Sequence, residues 1–405
     1  MARKMKDSGI EWIGEIPEGW SIARGKHILT LLQRAVFPTD GVITCFRDGE
    51  VTLRSNRRED GFTVSLKEIG YQGIEPGDLV VHGMDGFAGS IGISDSRGKS
   101  SPVLVVLDSS QDKKYLMYYL RSMAYNNVFL ALSTGIRVRS CDLKWNKLAD
   151  LLYLVPPIVE QHKLVSFLDE KCSEIDAMLS KTRASIEEYK KLKQAVITQA
   201  VTTLNCPNVK LKYLMDIIVD CPHETPIYTF TGNYLVIRTS DQSLASLRCD
   251  EYMYRLDEAE YKKRTRRLTL DKDDIVYGRE GSWGLACLVP QSNKYCLGQR
   301  VMQFRCNTRL LYPKYAMYAL NSETVYMQGA LDTIGSTAPH VNISTICNYL
   351  LPVPALTEQK EIADYLDAKC AEIDGLIAKK EQLVKELESY KKSLIYEVVT
   401  GKRKM

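Results

Sequence analysis

The sequence predicts an α+β chain: two mixed α/β domains alternate with two long helices, and the helices pair as an antiparallel coiled coil with pseudo-two-fold symmetry. Three observations predict it. The chain is 405 residues long with 45% hydrophobic and 26% charged residues, a globular composition with length for two or three domains. A segment near the middle recurs near the end at a constant offset of 198 residues, from Gln161 to Gln359 and from Asp176 to Asp374. Within each copy, apolar residues recur every 3.5 residues on average, the period of a helix–helix seam.

The first globular segment, roughly residues 18–150, holds the strand-like runs Asp78-Leu79-Val80-Val81 and Val103-Leu104-Val105-Val106-Leu107. A helix-like stretch, Lys114 to Leu120, follows them. The second, roughly residues 207–350, repeats this order with Asp274-Ile275-Val276-Tyr277, then Arg300-Val301-Met302-Gln303-Phe304, then Pro313 to Leu320. The frame is kept, but the loop from Val81 to Phe87 and its counterpart from Tyr277 to Trp283 differ in every side chain that could read a ligand. Between and after these segments run the repeated helices. Their seams are Leu168, Cys172, Ile175, Leu179 and Ile186 in the first copy, and Leu366, Cys370, Ile373, Ile377 and Val384 in the second. Both copies break the seam at Thr182/Lys380 and at Lys193/Lys391, and polar seam residues fix register and partner at a cost in stability. Prolines (Pro156-Pro157, and Pro352 and Pro354) mark the helix starts, while Gly401 with Lys402-Arg403-Lys404 marks an end.

Several classes are excluded. Fifty-four Lys and Arg against 50 Asp and Glu leave a net charge of +4, so the chain is not polybasic, although local patches can still bind nucleic acid. Eleven Cys without a CxxC pair argue against a zinc ribbon. The polar start from Met1 to Asp7 lacks a signal-peptide core, and no apolar run approaches a membrane span. A reduced, cytoplasmic protein with buried thiols is expected, with no metal and no membrane partner. No catalytic constellation emerges. The five His (27, 82, 162, 223, 340) have no metal spacing. The run from Gly92 to Ser100 has one residue too many for a phosphate loop and is expected to be a hairpin turn. The run of Gly83, Gly86 and Gly89 is explained by turn geometry, and Glu280 reads as a loop ion-pair partner. No Asn/Asp-Pro-Pro-aromatic tetrapeptide is present.

Basic and polar clusters stand out instead: Arg54, Arg57 and Arg58; Thr134, Arg137 and Arg139; Arg264, Arg266 and Arg267; and Ser336, His340 and Asn342. With His82, Met84 and Arg279 from the two matched loops, they are the candidate DNA-binding residues. Arg and Lys neutralise phosphates, whereas Asn, His, Ser and Arg can read base edges.

The opening from Asp7 to Trp20 (DSGIEWIGEIPEGW) resembles the start of Type I restriction-modification specificity subunits. So do the two helical repeats, with their Pro…Glu-Gln…Leu-Asp…Lys-Cys…Glu-Ile-Asp pattern and Val-Thr close at 201–202 and 399–400. The resemblance covers essentially the whole chain. It implies a target-recognition domain with an N-terminal arm at 1–155, a conserved helical region at 156–204, a second target-recognition domain at 205–352 and a second helical region at 353–405. It implies a non-catalytic DNA-reading subunit that scaffolds two methyltransferase subunits and motor-nuclease subunits. The chain itself would need no cofactor; S-adenosylmethionine would serve the methyltransferases, and ATP and Mg the motors. Two divergent readers imply an asymmetric bipartite target in double-stranded DNA. A seam of ~50 Å, at 1.5 Å per residue, would span at most about 15 base pairs. The alternatives are a coiled-coil adaptor that binds only proteins, or an enzyme in its own right such as a fused nuclease.

Overall fold

The computed structural model describes residues 3–57, 68–131, 143–248, 250–281, 283–332 and 340–404. The chain folds as two compact units, Met1–Thr182 with Leu383–Met405, and Arg183–Gln382. The long helices Ile158–Thr202 and Leu356–Val399 each give one half to either unit.

In the first unit an antiparallel four-stranded sheet has the order Leu29–Leu31, Leu104–Ser109, Leu79–His82, Ile91–Ile93. Side chains on a strand alternate between faces. Leu79, Val81, Val105 and Leu107 therefore pack toward the helix Lys113–Tyr125 and the long helices. Val80, Leu104 and Val106 pack the other way, against the hairpin of Ile43–Cys45 with Val51–Leu53. The second unit has the same order: Met215–Asp220, Val301–Cys306, Ile275–Gly278, Ala286–Leu288. Ile275, Tyr277, Met302 and Phe304 face its helices, and Val276 and Val301 face a separate small core. The helix after the sheet spans Pro313–Leu320.

The helices are antiparallel, as each unit demonstrates by itself. In the first, Leu168, Cys172, Ile175 and Leu179 share a core with Leu394, Ile395, Val398 and Val399. In the second, Ile197 and Val201 share one with Leu366 and Cys370. Ile186 and Ile373 are also buried, whereas Ile377 and Val384 are half-buried. Beyond Lys193 the buried positions are Ile197 and Val201, one residue off the strict 3.5 period that selects Val196 and Ala200, because this last stretch packs on the globular core as well as on the partner helix.

The helix starts are anchored identically. Gln161, fully buried, accepts from the Asp112 backbone N–H (3.0 Å) and donates to the Pro156 carbonyl (2.8 Å). Gln359 does the same with Tyr312 (2.7 Å) and Pro354 (2.9 Å). Two turns on, Asp169 accepts from Lys114 and Tyr118 (2.6 and 2.8 Å), and Asp367 from Lys314 and Tyr318 (2.5 and 2.7 Å).

The segment after Gly92 is not a hairpin. Gly98–Ser100 pairs with Gln72–Ile74, while Ile91–Ile93 stays in the main sheet. The glycines serve a crossing chain: a Cβ on Gly92 would lie 2.0 Å from the Gly49 carbonyl, and one on Gly98 2.5 Å from that of Gly41.

Candidate nucleic-acid interface

In both units the strand after the first long connection ends in a loop held by the same backbone bonds. The Gly83 N–H donates to Val103 O (2.8 Å), and the Gly83 carbonyl accepts from Leu143 (2.9 Å). Arg279 takes the corresponding place, donating to Arg300 O (2.8 Å) and accepting from Val341 (3.1 Å). Main chain is thus superimposable in function, and the side chain it presents is free to vary between nothing and a guanidinium.

Around the first loop the His82 Nδ1 accepts from the backbone N–H groups of Met84 (3.3 Å) and Asp85 (3.0 Å). That places the ring proton on Nε2, and burial holds the imidazole's pKa below its ordinary value, so the ring is neutral at pH 7. Met84 is exposed. Asp85 pairs with Arg47 (3.1 Å), which ties the loop to the hairpin carrying Arg54 and Arg57. The Arg54 Nε donates to Thr44 Oγ1 (3.2 Å). Arg57 lies 4.2 Å over the Phe46 ring and pairs with Asp48 (2.8 Å) and Glu50 (2.9 Å). Arg58, Thr134, Arg137, Arg139 and Ser336 lie outside the described residues.

In the second unit, Arg279 is nearly buried. Its guanidinium lies 2.7 Å from Glu280 and its Nε 3.3 Å from Asp220 Oδ1, close enough for an ion pair but off-line for a hydrogen bond. Glu280 bridges His340 through the backbone. Asn342 precedes the helix Ile343–Cys347 and donates to Asp332 (3.3 Å). Asp220 also meets His223 Nε2 (3.1 Å). His223 in turn lines a cleft of about 310 Å³ with Lys263, Arg264, Arg266 and Arg267. Two clusters far apart in sequence are therefore joined on one edge through residues 220–224.

Arg264 differs from its neighbours. It is buried, and its guanidinium donates to the carbonyls of Leu297 (3.0 Å), Glu224 (2.9 Å) and Pro222 (3.4 Å). It builds the cleft wall and has no face for DNA in this conformation. Arg266 and Arg267 are exposed, with no ion pair among the described residues. Burial pushes the thiols of Cys45, Cys287, Cys296 and Cys306 up to about 12, which disfavours their thiolates. Among the described residues no group of His, Cys, Asp or Glu could hold a metal ion, and no helix is long and apolar enough to cross a membrane.

Comparison with known proteins bears on this geometry. Residues 220–386 match the model of the Type I restriction modification DNA specificity domain. The putative type I restriction enzyme MjaX specificity subunit of Methanocaldococcus jannaschii is 21% identical over 96% of this chain and 95% of its own length. The matched domain covers less than half of the chain, and the likeness runs along the whole chain only at this low identity. The type I restriction enzyme EcoBI specificity subunit of Escherichia coli is 27% identical over 32% of this chain, a match that spans only 27% of that relative. A chain from a structural study of complex assembly and conformational transition of the type I R-M system shares the fold, with a TM-score of 0.71 at 15% identity, over 96% of this chain and 99% of that one.

The sequence pattern left some residues of this geometry unmarked. Phe46 and Arg47 in the first unit, and His223 in the second, reach their partners only through folding. The one linear hint was Arg57, eleven residues after Phe46, a separation that needs a hairpin to become a stack.

Proposed function

We propose that this chain is the sequence-reading subunit of a Type I restriction-modification complex, with each unit reading one half of an asymmetric bipartite target in double-stranded DNA. The observation that carries this reading is the matched backbone frame with unmatched tips at Gly83 and Arg279. A duplicated scaffold that preserves its main-chain bonds while changing its loop side chains suits two readers of different bases. The chain is non-catalytic in this reading and acts in the cytoplasm. It binds no cofactor of its own; two methyltransferase subunits bring S-adenosylmethionine, and motor-nuclease subunits bring ATP and Mg. The domain limits follow the family pattern, with recognition domains at 1–155 and 205–352 and helical regions at 156–204 and 353–405.

The test is single-molecule methylation mapping of the host genome with and without this gene. One bipartite motif should lose methylation on deletion, its two halves unlike each other. The purified complex should bind that site with an affinity that falls steeply with salt, the slope being about −0.9 per phosphate contacted. Unchanged methylation together with salt-insensitive, sequence-blind binding would leave a protein-binding coiled-coil adaptor in its place.

A further inference from the structure

The second unit carries an arginine–tyrosine platform that the sequence clusters do not include. Asp241, fully buried, accepts from Arg238 Nε and Nη2 (2.8 Å each) and from the Arg238 backbone N–H (3.1 Å). The same guanidinium lies 4.0 Å over the Tyr254 ring, which packs on Tyr228 at 4.5 Å between ring centroids. Arg248 follows suit: its backbone N–H donates to Asp241 O (2.8 Å), its Nη1 lies 4.0 Å from Asp241 Oδ1, and it sits 5.2 Å over Tyr252. One buried carboxylate thus orders two arginines, each laid on its own exposed tyrosine, and Phe230, two residues after Tyr228, is fully exposed.

We infer that Arg238 and Arg248 are specificity-determining residues of the second unit, reading the paired acceptors of a guanine edge in the major groove. The inference rests on the DNA-reading role proposed above and deepens it. Arg238 uses one edge of its fork on Asp241, and its Nη1 has no hydrogen-bond partner among the described residues. A planar fork fixed by a carboxylate on one side and a ring beneath has already lost its rotamer freedom, which favours bidentate recognition over loose phosphate contact. The first unit contains a more open counterpart: Arg57 stacks on Phe46 and pairs with Asp48 and Glu50, both exposed. No shared sequence explains the recurrence. The chain also limits how far the platform can lie from the basic edge. Eight residues lead from Pro222, at the Arg266–Arg267 cleft, to Phe230, a reach of at most about 29 Å, within one helical turn of DNA at about 34 Å.

The experiment is methylation mapping and competition binding with the assembled methyltransferase complex carrying Arg238→Lys or Arg248→Lys. Lysine keeps the charge but lacks the fork. Discrimination should relax by roughly ten-fold or more at a guanine-containing position of one half-site, with the other half-site and the salt slope unchanged. If both variants discriminate every position as the parent does, or lose affinity uniformly, the platform does not read bases. If neither variant assembles, the arginines are structural and the inference falls. If the parent complex itself methylates no bipartite site, the failure belongs to the DNA-reading role instead.

Discussion

At the scale of single residues, the strongest constraints sit where a side chain closes backbone bonds at a buried joint. Gln161 and Gln359 are each fully buried and each satisfy a backbone N–H and a proline carbonyl. Alanine at either site orphans both groups. Gln161→Ala and Gln359→Ala should each cost about 3 kcal/mol, read as earlier thermal unfolding of the unit that contains the change. Lys190→Ala, which breaks an exposed pair with Glu187 (2.8 Å), should cost under about 1 kcal/mol. Equal effects would show that burial of the glutamines is not what matters. The glutamines were visible in the sequence as repeated letters, but their bonding was not. Arg264 illustrates the opposite error. The run from Lys262 to Arg267 reads as one basic patch, yet the helix Glu258–Arg264 turns Tyr261 and Arg264 inward and Lys262 and Lys263 outward, because residues three apart share a face. Helical phase divides a charge run that composition treats as a whole.

At the scale of elements, the seam was legible, and the polar break at Lys193 and Lys391 proved to be a register mark. Lys193 pairs with Asp374 (2.8 Å), and Lys391 pairs with Asp176 (2.6 Å). The repeat offset maps one pair onto the other, so the lysine at the second break of each helix meets the aspartate of the opposite helix, whereas Lys380 at the first break lies over the Tyr189 ring. The duplicated sequence marked where the seam is polar, and the partner, 181 residues away in the case of Lys193, required the fold. Lys193 is nearly buried while Lys391 is more open, at 9% and 23% side-chain exposure. Losing the carboxylate therefore strands a charge more severely in the second unit. Asp374→Ala should cost about 2 kcal/mol, less than a fully buried pair because Asp374 is half-exposed, and Asp176→Ala should cost less again. Exchanging the charges (Lys193→Asp with Asp374→Lys) should recover part of the loss. Denaturation of the purified complex decides it, and equal costs for the two aspartates would remove burial from the explanation.

At the scale of the whole chain, duplication couples two questions that are usually separate: which bases are read, and how far apart. In the proposed reading the loop tips answer the first, since the frame that holds Gly83 and Arg279 is common. The helices answer the second if their length sets the spacing between half-sites. The unit limits fall inside both helices, between Thr182 and Arg183 and between Gln382 and Leu383. Seven residues inserted at both places preserve the seam's phase and lengthen each helix by about 10 Å. Insertion in one helix alone would slip the Lys193–Asp374 pair against the Lys391–Asp176 pair. Insertion in both should add about three base pairs to the unread gap of the methylated motif and leave each half-site as it was. Methylation mapping checks the gap and the half-sites together. Altered half-sites around an unaltered gap would mean that the helices do not act as the ruler, and that the spacing is set by the globular units or by the subunits bound to them.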